Sequence, residues 1–196
     1  MKLVLIFFCV LAGVSSFVPQ KPAPLCRGKV LPIQLLPGPK MTGPPLPLRF
    51  GGTREFPRYP INSFPSQKPL RLVIKTRPEF SDFWKQFTAP IPPSNGIPPP
   101  PEVDFAKEMV VVSVMGQRPS SGYWTFIDGA CETDGQVEVF VSNVEGGVSC
   151  GPAFGVVTYP ADAVRLPRTD LPVVFRETQL TCNQWQDLFR SPVRRN

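Results

Sequence analysis

Apolar residues in the middle of the chain are spaced in a way that predicts a strand followed by an amphipathic helix. Residues 70–76 are typical of a strand, and Thr76 with Glu79 three residues later forms the signature of a helix N-terminal capping box. One aromatic stripe then follows at the spacing of a single helix face: Phe80, Phe83, Trp84 and Phe87. We expect this stripe to pack on the core of the domain.

The next apolar segments predict strands separated by turns. They cover residues 108–115, 123–127, 135–142 and 154–159, with a last strand at 171–175. The first is almost wholly apolar, which is typical of a central strand buried on both faces. Asp134–Gly135 predicts a hairpin turn before the third. A short amphipathic helix is predicted over 183–189, with Trp185, Leu188 and Phe189 on one side.

This pattern indicates a mostly β (α+β) fold, a small antiparallel sheet or sandwich with one packed helix, preceded by an extended proline-rich arm. The arm covers residues 17–69 and contains 13 prolines, with eight basic residues against one acid. Such a segment favours polyproline-II structure over a packed core. The spacings Pro19-x-x-Pro22 and Pro57-x-x-Pro60 suit groove-binding ligands, and a plain linker is an equal alternative.

The N-terminus has the three parts of a secretory signal peptide. Lys2 precedes an apolar run over residues 3–11, and small residues follow at 12–16. We therefore predict a secreted, extracellular protein with a signal peptide at 1–16. The arm at 17–69 is followed by a β-rich domain at 70–177, with a proline-rich loop at 89–101, and by a tail at 178–196.

Removal of the predicted signal leaves four cysteines, which predict two disulfides in a secreted chain. These candidates are Cys26, Cys131, Cys150 and Cys182. Four cysteines allow three connectivities. The expected hairpin places Cys131 at one end of the sheet and slightly favours a Cys131–Cys150 pair, with Cys26–Cys182 joining the arm to the tail.

Composition argues against catalysis and against a metal site. The chain has no histidine, which removes Ser-His-Asp and Cys-His chemistry and the commonest zinc partner of a cysteine. No phosphate-cradling glycine motif is present. We predict no enzyme activity, no catalytic residues, no cofactor and no metal.

Four segments in order resemble the C-terminal domain of the PrcB family, over about residues 70–177. They are residues 103–112, residues 116–123, the Gly151-Pro152 step and residues 158–167. The resemblance implies an extracytoplasmic, non-catalytic domain of the kind found in subunits of bacterial protease complexes. The cysteines, the arm and the proline-rich loop depart from the family pattern.

One loop also resembles a Pro-Thr-Thr-Gly-Tyr-x-Trp element of the chagasin-type inhibitors of cysteine proteases. It is a candidate binding loop made of Arg118, Pro119, Ser120, Ser121, Gly122, Tyr123 and Trp124. Pro119 and Gly122 favour a tight turn, in which the two serine hydroxyls can bond the loop backbone. Residues 145–147 only faintly echo a second inhibitor loop, and an Arg-Pro-Trp element is missing. The alternative is a plain connection between strands.

Together these features predict a secreted structural or interaction protein that binds an extracellular protein or an acidic matrix. Its net charge of +6 comes from the arm, because residues 71–177 carry nine basic and thirteen acidic residues. This suits an extracellular or biomineral matrix. The alternative is a subunit of a protease complex or a protease inhibitor. Nucleic acid and membrane insertion are not expected.

Overall fold

The computed structural model describes residues 26–36, 46–49, 53–54, 64–88, 99–146 and 154–190. In chain order these residues form β1 (Lys29–Val30), β2 (Gln34–Leu35), β3 (Leu46–Pro47), β4 (Thr53–Arg54), β5 (Leu70–Ile74), α1 (Arg77–Thr88), β6 (Glu108–Val114), β7 (Trp124–Thr133), β8 (Gln136–Glu145), β9 (Ala161–Pro167), β10 (Val173–Thr181) and α2 (Cys182–Arg190). The predicted mostly-β class is confirmed.

The strands form two four-stranded sheets that pack face to face. Sheet A has the order β1-β7-β8-β10, sheet B has the order β2-β9-β6-β5, and β3 and β4 form a separate small ladder. All neighbours are antiparallel except β8 and β10, which run parallel. The inner faces share one apolar core that includes Met109 and Val111 of β6 and Val139 of β8.

Strand β6 is buried on both faces, as its apolar sequence predicts. Its odd-numbered residues Met109 and Val111 face sheet A, while Val110, Val112 and Val114 belong to a second core on the other side of sheet B. Helix α1 covers that second core. All four aromatic residues of its predicted stripe are buried: Phe80, Phe83, Trp84 and Phe87. Burial of each such side chain stabilises the fold by roughly 2–3 kcal/mol.

The predicted capping box of α1 is confirmed. The backbone N–H of Thr76 donates to the Glu79 carboxylate at 3.1 Å, and the N–H of Glu79 donates to Thr76 Oγ1 at 3.4 Å. A further hydrogen bond from the Lys75 N–H is the largest cause that holds the pKa of Glu79 below its usual value. The predicted hairpin is also confirmed, because Asp134 and Gly135 join β7 to β8 and Gly135 takes a φ of 82°.

Several predicted elements differ in their bounds, and one is absent. Strand β7 continues to Thr133, and β10 runs over Val173–Thr181 instead of ending at residue 175. The strand predicted at 154–159 is wrong: within it only Thr158 forms an isolated bridge, and β9 begins at Ala161. Helix α2 begins at Cys182, because Thr181 and Gln184 cap it reciprocally. The structure does not describe the side chains of Leu188 and Phe189.

The described part of the arm at 26–36 joins the two sheets and does not lie apart from the domain. Strand β1 pairs with β7 at the edge of sheet A, and β2 pairs with β9 at the edge of sheet B. Leu31, Ile33 and Leu35 alternate toward the core between the sheets. The folded unit therefore extends beyond residues 70–177 in both directions. The two PxxP segments and residues 89–98 lie outside the described residues.

The preferred disulfide pairing is also wrong. Cys26 bonds Cys131, with their Cα atoms 5.8 Å apart. Because β1 runs antiparallel to the end of β7, with Val30 opposite Cys131, the arm brings Cys26 to this position. Cys182 is disulfide-bonded too, so it cannot pair with Cys26. Its partner lies outside the described residues, as does Cys150.

A second anchor fixes the arm to the outer face of sheet A. Arg49 Nε donates to Asp128 Oδ1 at 3.1 Å, and the guanidinium lies 4.8 Å from the centre of the Phe140 ring. The backbone N–H of Arg49 donates to the carbonyl of Asp128 at 2.7 Å. Asp128 sits at a bulge in β7, and its carboxylate also accepts the Ser142 hydroxyl. This arginine is thus held by the protein's own carboxylate.

Candidate functional site

The candidate loop lies at one end of the sandwich, which we call the loop end. There β6 and β8 finish, and β7 and β9 begin. Residues 115–123, the Arg118 loop, connect β6 to β7 and include most of the predicted binding residues. Residues 146–160 connect β8 to β9, and their described part at 154–160 is the Phe154 loop.

Two sets of hydrogen bonds tie these loops together. At one side Arg118 and Thr158 exchange backbone hydrogen bonds of 2.8 and 3.0 Å, and Thr158 Oγ1 donates to the carbonyl of Ser120 at 2.7 Å. At the other side Ser121 holds both backbone groups of Phe154. The Ser121 N–H donates to the Phe154 carbonyl at 3.0 Å, and Ser121 Oγ accepts the Phe154 N–H at 2.9 Å.

The Phe154 loop is therefore closed at both ends by its neighbour. Between the two ties, the Val156 N–H donates to the Phe154 carbonyl at 2.8 Å, so the chain turns tightly around Gly155. The serine hydroxyls do bond loop backbone, as the sequence predicts. Ser121 bonds the adjacent loop, and Ser120 Oγ accepts a long 3.4 Å bond from Gly122 within its own loop.

The tip enclosed by these ties presents apolar side chains to solvent. Phe154 is 67% exposed, and Val156 and Val157 are each 54% exposed. Among the described residues the one other large apolar side chain with comparable exposure is Val30, opposite Cys131 near the other end of β7. We call Phe154, Val156 and Val157 the apolar tip.

Two glycines let the backbones at the loop end approach closely. Gly116 takes a φ of 78°, and a Cβ there would lie 2.9 Å from the carbonyl oxygen of Gln67. A Cβ on Gly146 would lie 2.7 Å from the carbonyl oxygen of Gly122. The end of β8 therefore rests on the Arg118 loop.

The aromatic and charged residues of the Arg118 loop turn toward the protein. Arg118 lies 5.8 Å from the Tyr123 ring centre and donates to the carbonyl of Gln117. Trp124 packs at a tilt against Trp185 of α2, with their ring centres 5.3 Å apart. Pro119 is exposed and Gly122 is buried. Tyr123 and Trp124 thus support the loop, and exposed apolar area is concentrated on the neighbouring loop.

The sequence pattern predicted a strand over the apolar tip, so the tip was missed as an exposed surface. Residues 154–159 are mostly apolar, and such a run is typical of a strand. Two signals could have identified a loop: Gly155 interrupts the run, and Pro160 follows it.

The described residues hold no group of three or more histidine, cysteine or acidic side chains that could bind a metal ion. Within the same residues, no helix has the length and apolar character needed to cross a bilayer. Comparisons with protein-family models, curated proteins and solved structures find no significant match.

Proposed function

We propose that this is a secreted, non-catalytic interaction protein whose apolar tip binds another extracellular protein. The observation that carries the proposal is the exposure of Phe154, Val156 and Val157 on a loop tied at both ends to the Arg118 loop. Contiguous exposed apolar side chains are characteristic of interaction sites. A tip already held in one conformation loses little entropy when it docks.

The tip fits an apolar cleft of a folded protein. It projects as a tight turn, and its three large side chains carry no charge, so complementarity must come from shape and apolar contact. Phe154 is the natural anchor, because aromatic side chains in buried pockets supply much of the energy of protein interfaces. Arg118, the one charged residue within 115–123 and 154–160, lies against Tyr123 of its own loop. We therefore expect binding through the tip to be insensitive to salt.

Secretion is the compartment that best suits the chain. The N-terminal 16 residues have the composition of a signal peptide. The disulfide between Cys26 and Cys131 and the bonded state of Cys182 suit an oxidising compartment. A partner in the extracellular space follows from that location.

The basic arm supplies a second, electrostatic contact to an acidic matrix, which we also propose. In its described part Arg27, Lys29 and Lys68 are exposed. Arg49 is not available for this role, because its side chain is 9% exposed and paired with Asp128. Contacts of exposed charges weaken as ionic strength rises, so salt distinguishes the arm from the tip.

A second candidate function is protease regulation, as an inhibitor or as a subunit of a protease complex. It is favoured by the double tie of the Phe154 loop, because an inhibitory loop must keep its shape inside a cleft. Inhibition of a papain-like enzyme by the full chain, abolished by serine at the three tip positions, would support this candidate. Our first proposal predicts no such inhibition.

Matched variants of the full chain test the proposal. We would replace Phe154, Val156 and Val157 by serine in one variant and Val30 by serine in another. Each immobilised protein is incubated, at low and at high salt, with the extracellular fluid in which the protein occurs. We expect one defined protein to be retained at high salt by the wild type and by Val30→Ser and to be lost with the tip variant. Equal retention by the tip variant would overturn the proposal. If the wild type binds phosphatidylcholine vesicles and the tip variant does not, the tip contacts a lipid surface instead of a protein.

A further inference from the structure

Buried polar residues join the two sheets directly beneath the loops. Four of them are at most 2% exposed: Ser113, Thr125, Asn143 and Asp162. Each lies close to a strand end that enters the Arg118 loop or the segment 146–160. The rest of the space between the sheets is filled by apolar side chains such as Met109, Val139 and Val164. The polar groups are thus confined to the loop end.

Three polar links cross from sheet B to sheet A. Ser113 of β6 bonds Thr125 of β7 at 2.9 Å. The carboxylate of Asp162 in β9 accepts the backbone N–H of Ile127 at 2.7 Å, next to the bulge in β7. Arg71 of β5 pairs with Glu177 of β10 at 2.6 Å. We call these contacts the inter-sheet links.

Two of the links belong to one directed chain of hydrogen bonds. Thr125 Oγ1 donates to Asn143 Oδ1 at 2.8 Å, and a hydroxyl has a single proton, so Ser113 must donate to Thr125. Asn143 Nδ2 then donates to Glu177 at 2.9 Å, and that carboxylate also receives Arg71. Within this chain Thr125 joins Ser113 of sheet B to Asn143 of sheet A.

The topology gives these links a consequence for the loops. The Arg118 loop passes from sheet B to sheet A, and the segment 146–160 passes back from sheet A to sheet B. The ties between Arg118 and Thr158 and between Ser121 and Phe154 therefore hold only at one spacing of the sheets. Apolar packing alone is not directional, whereas hydrogen bonds prefer narrow ranges of distance and angle.

We infer that the inter-sheet links position the apolar tip, and that Thr125, which joins Ser113 to Asn143, is a positioning residue. The links fix the spacing of the two sheets at the loop end and so keep the Phe154 loop in the conformation that binds. The functional meaning of this inference rests on the proposed function. The structural claim itself can be tested without any partner.

Hydrogen exchange in the full chain makes the test. Thr125→Val removes the hydroxyl from two bonds while keeping a similar shape. We expect the amides of Ser121, Phe154 and Thr158 to exchange at least about tenfold faster, since each lost bond contributes on the order of a few-fold to tenfold. Thr125→Ser, which restores a hydroxyl, should return exchange close to the wild-type rate.

Val139→Ala is the matched control, because it perturbs the same core between the sheets away from the loops. It should lower overall stability and leave the relative exchange of the three loop amides unchanged. Should Thr125→Val not fold, Ser113→Ala removes one link and should give a smaller increase at the same amides. Wild-type loop exchange in a folded variant, or the same increase in Val139→Ala, would overturn the inference. Neither result would decide the proposed function, which the tip-binding experiment tests separately.

Discussion

Ser121 holds Phe154 through both of the phenylalanine's backbone groups, at 3.0 and 2.9 Å. One residue thereby fixes the start of the apolar tip. The hydroxyl contributes one of these bonds, which has a net value of about 1 kcal/mol. The other is a backbone bond that substitution leaves in place.

We therefore expect Ser121→Ala to loosen the Phe154 loop without unfolding the protein. The Phe154 amide should exchange roughly five- to tenfold faster, which corresponds to about 1 kcal/mol. Ser120→Ala is the control, because Ser120 Oγ accepts only a long 3.4 Å bond from Gly122. Equal effects of the two substitutions would show that the reciprocal pair does not hold the tip.

Removing Arg49 from its pair with Asp128 should strongly destabilise the protein. Arg49→Ala leaves a carboxylate that is 14% exposed without its cation, and loss of a partner from a buried pair costs roughly 3 kcal/mol. Urea unfolding would measure this. Lys85→Ala removes the exposed pair with Asp82 and should cost less than about 1 kcal/mol. A similar small change for both variants would contradict the assigned role of Arg49 as an anchor.

The disulfide should matter because it joins the arm to the far end of β7. Replacing Cys26 and Cys131 together by serine opens a loop with a sequence separation of 105. A disulfide that closes a loop of this length stabilises the folded protein by roughly 4–5 kcal/mol, because it lowers the entropy of the unfolded chain. Chemical denaturation of the oxidised protein measures the difference. Peptide mapping without reductant should recover a Cys26–Cys131 peptide, and free thiols at both positions would refute the pairing.

Glu79 should make a small, pH-dependent contribution to the free energy of unfolding. Its pKa is lowered in the folded protein, so the stabilisation is present above the unfolded value near 4.5 and is lost as pH falls through the folded pKa. Glu79→Gln can keep the capping box but cannot titrate. Between about pH 5 and pH 3 the wild type should lose slightly more unfolding free energy than this variant. Parallel curves would mean that Glu79 is not coupled to folding.

Local patterns in the sequence were sufficient for the elements whose burial is periodic. The aromatic stripe of α1, the doubly buried β6 and the Asp134–Gly135 turn all follow from residues close in the chain. The short strands β1 and β2 could not be recognised in this way, because prolines obscure the alternation of Leu31, Ile33 and Leu35. Both strands form only by pairing with strands more than a hundred residues away in the chain.

Part of the candidate site was also predicted, again where the signal lies in residues close together in the chain. The Arg118 loop has its own turn residues, so its position between strands and its serine hydrogen bonds could be expected. The exposure of Phe154, Val156 and Val157 could not, because an apolar run has the same composition in a buried strand and in a projecting loop. Gly155 and Pro160 indicate a break in the run, whereas the exposure of its side chains is established by the structure. The cysteine pairing likewise depended on where the arm entered the sheet.

The most direct test of the central claim is site-specific photo-crosslinking from the tip. A photoreactive residue is placed at Val157 in one full-length protein and at Val30 in another, and each is irradiated at high salt in the native extracellular fluid. The account predicts one protein adduct from position 157, suppressed by excess wild-type protein but not by the variant with serine at all three tip positions. The Val30 protein should give no such adduct. The same adduct from both positions, or none from position 157, would contradict the claim that the apolar tip binds a protein.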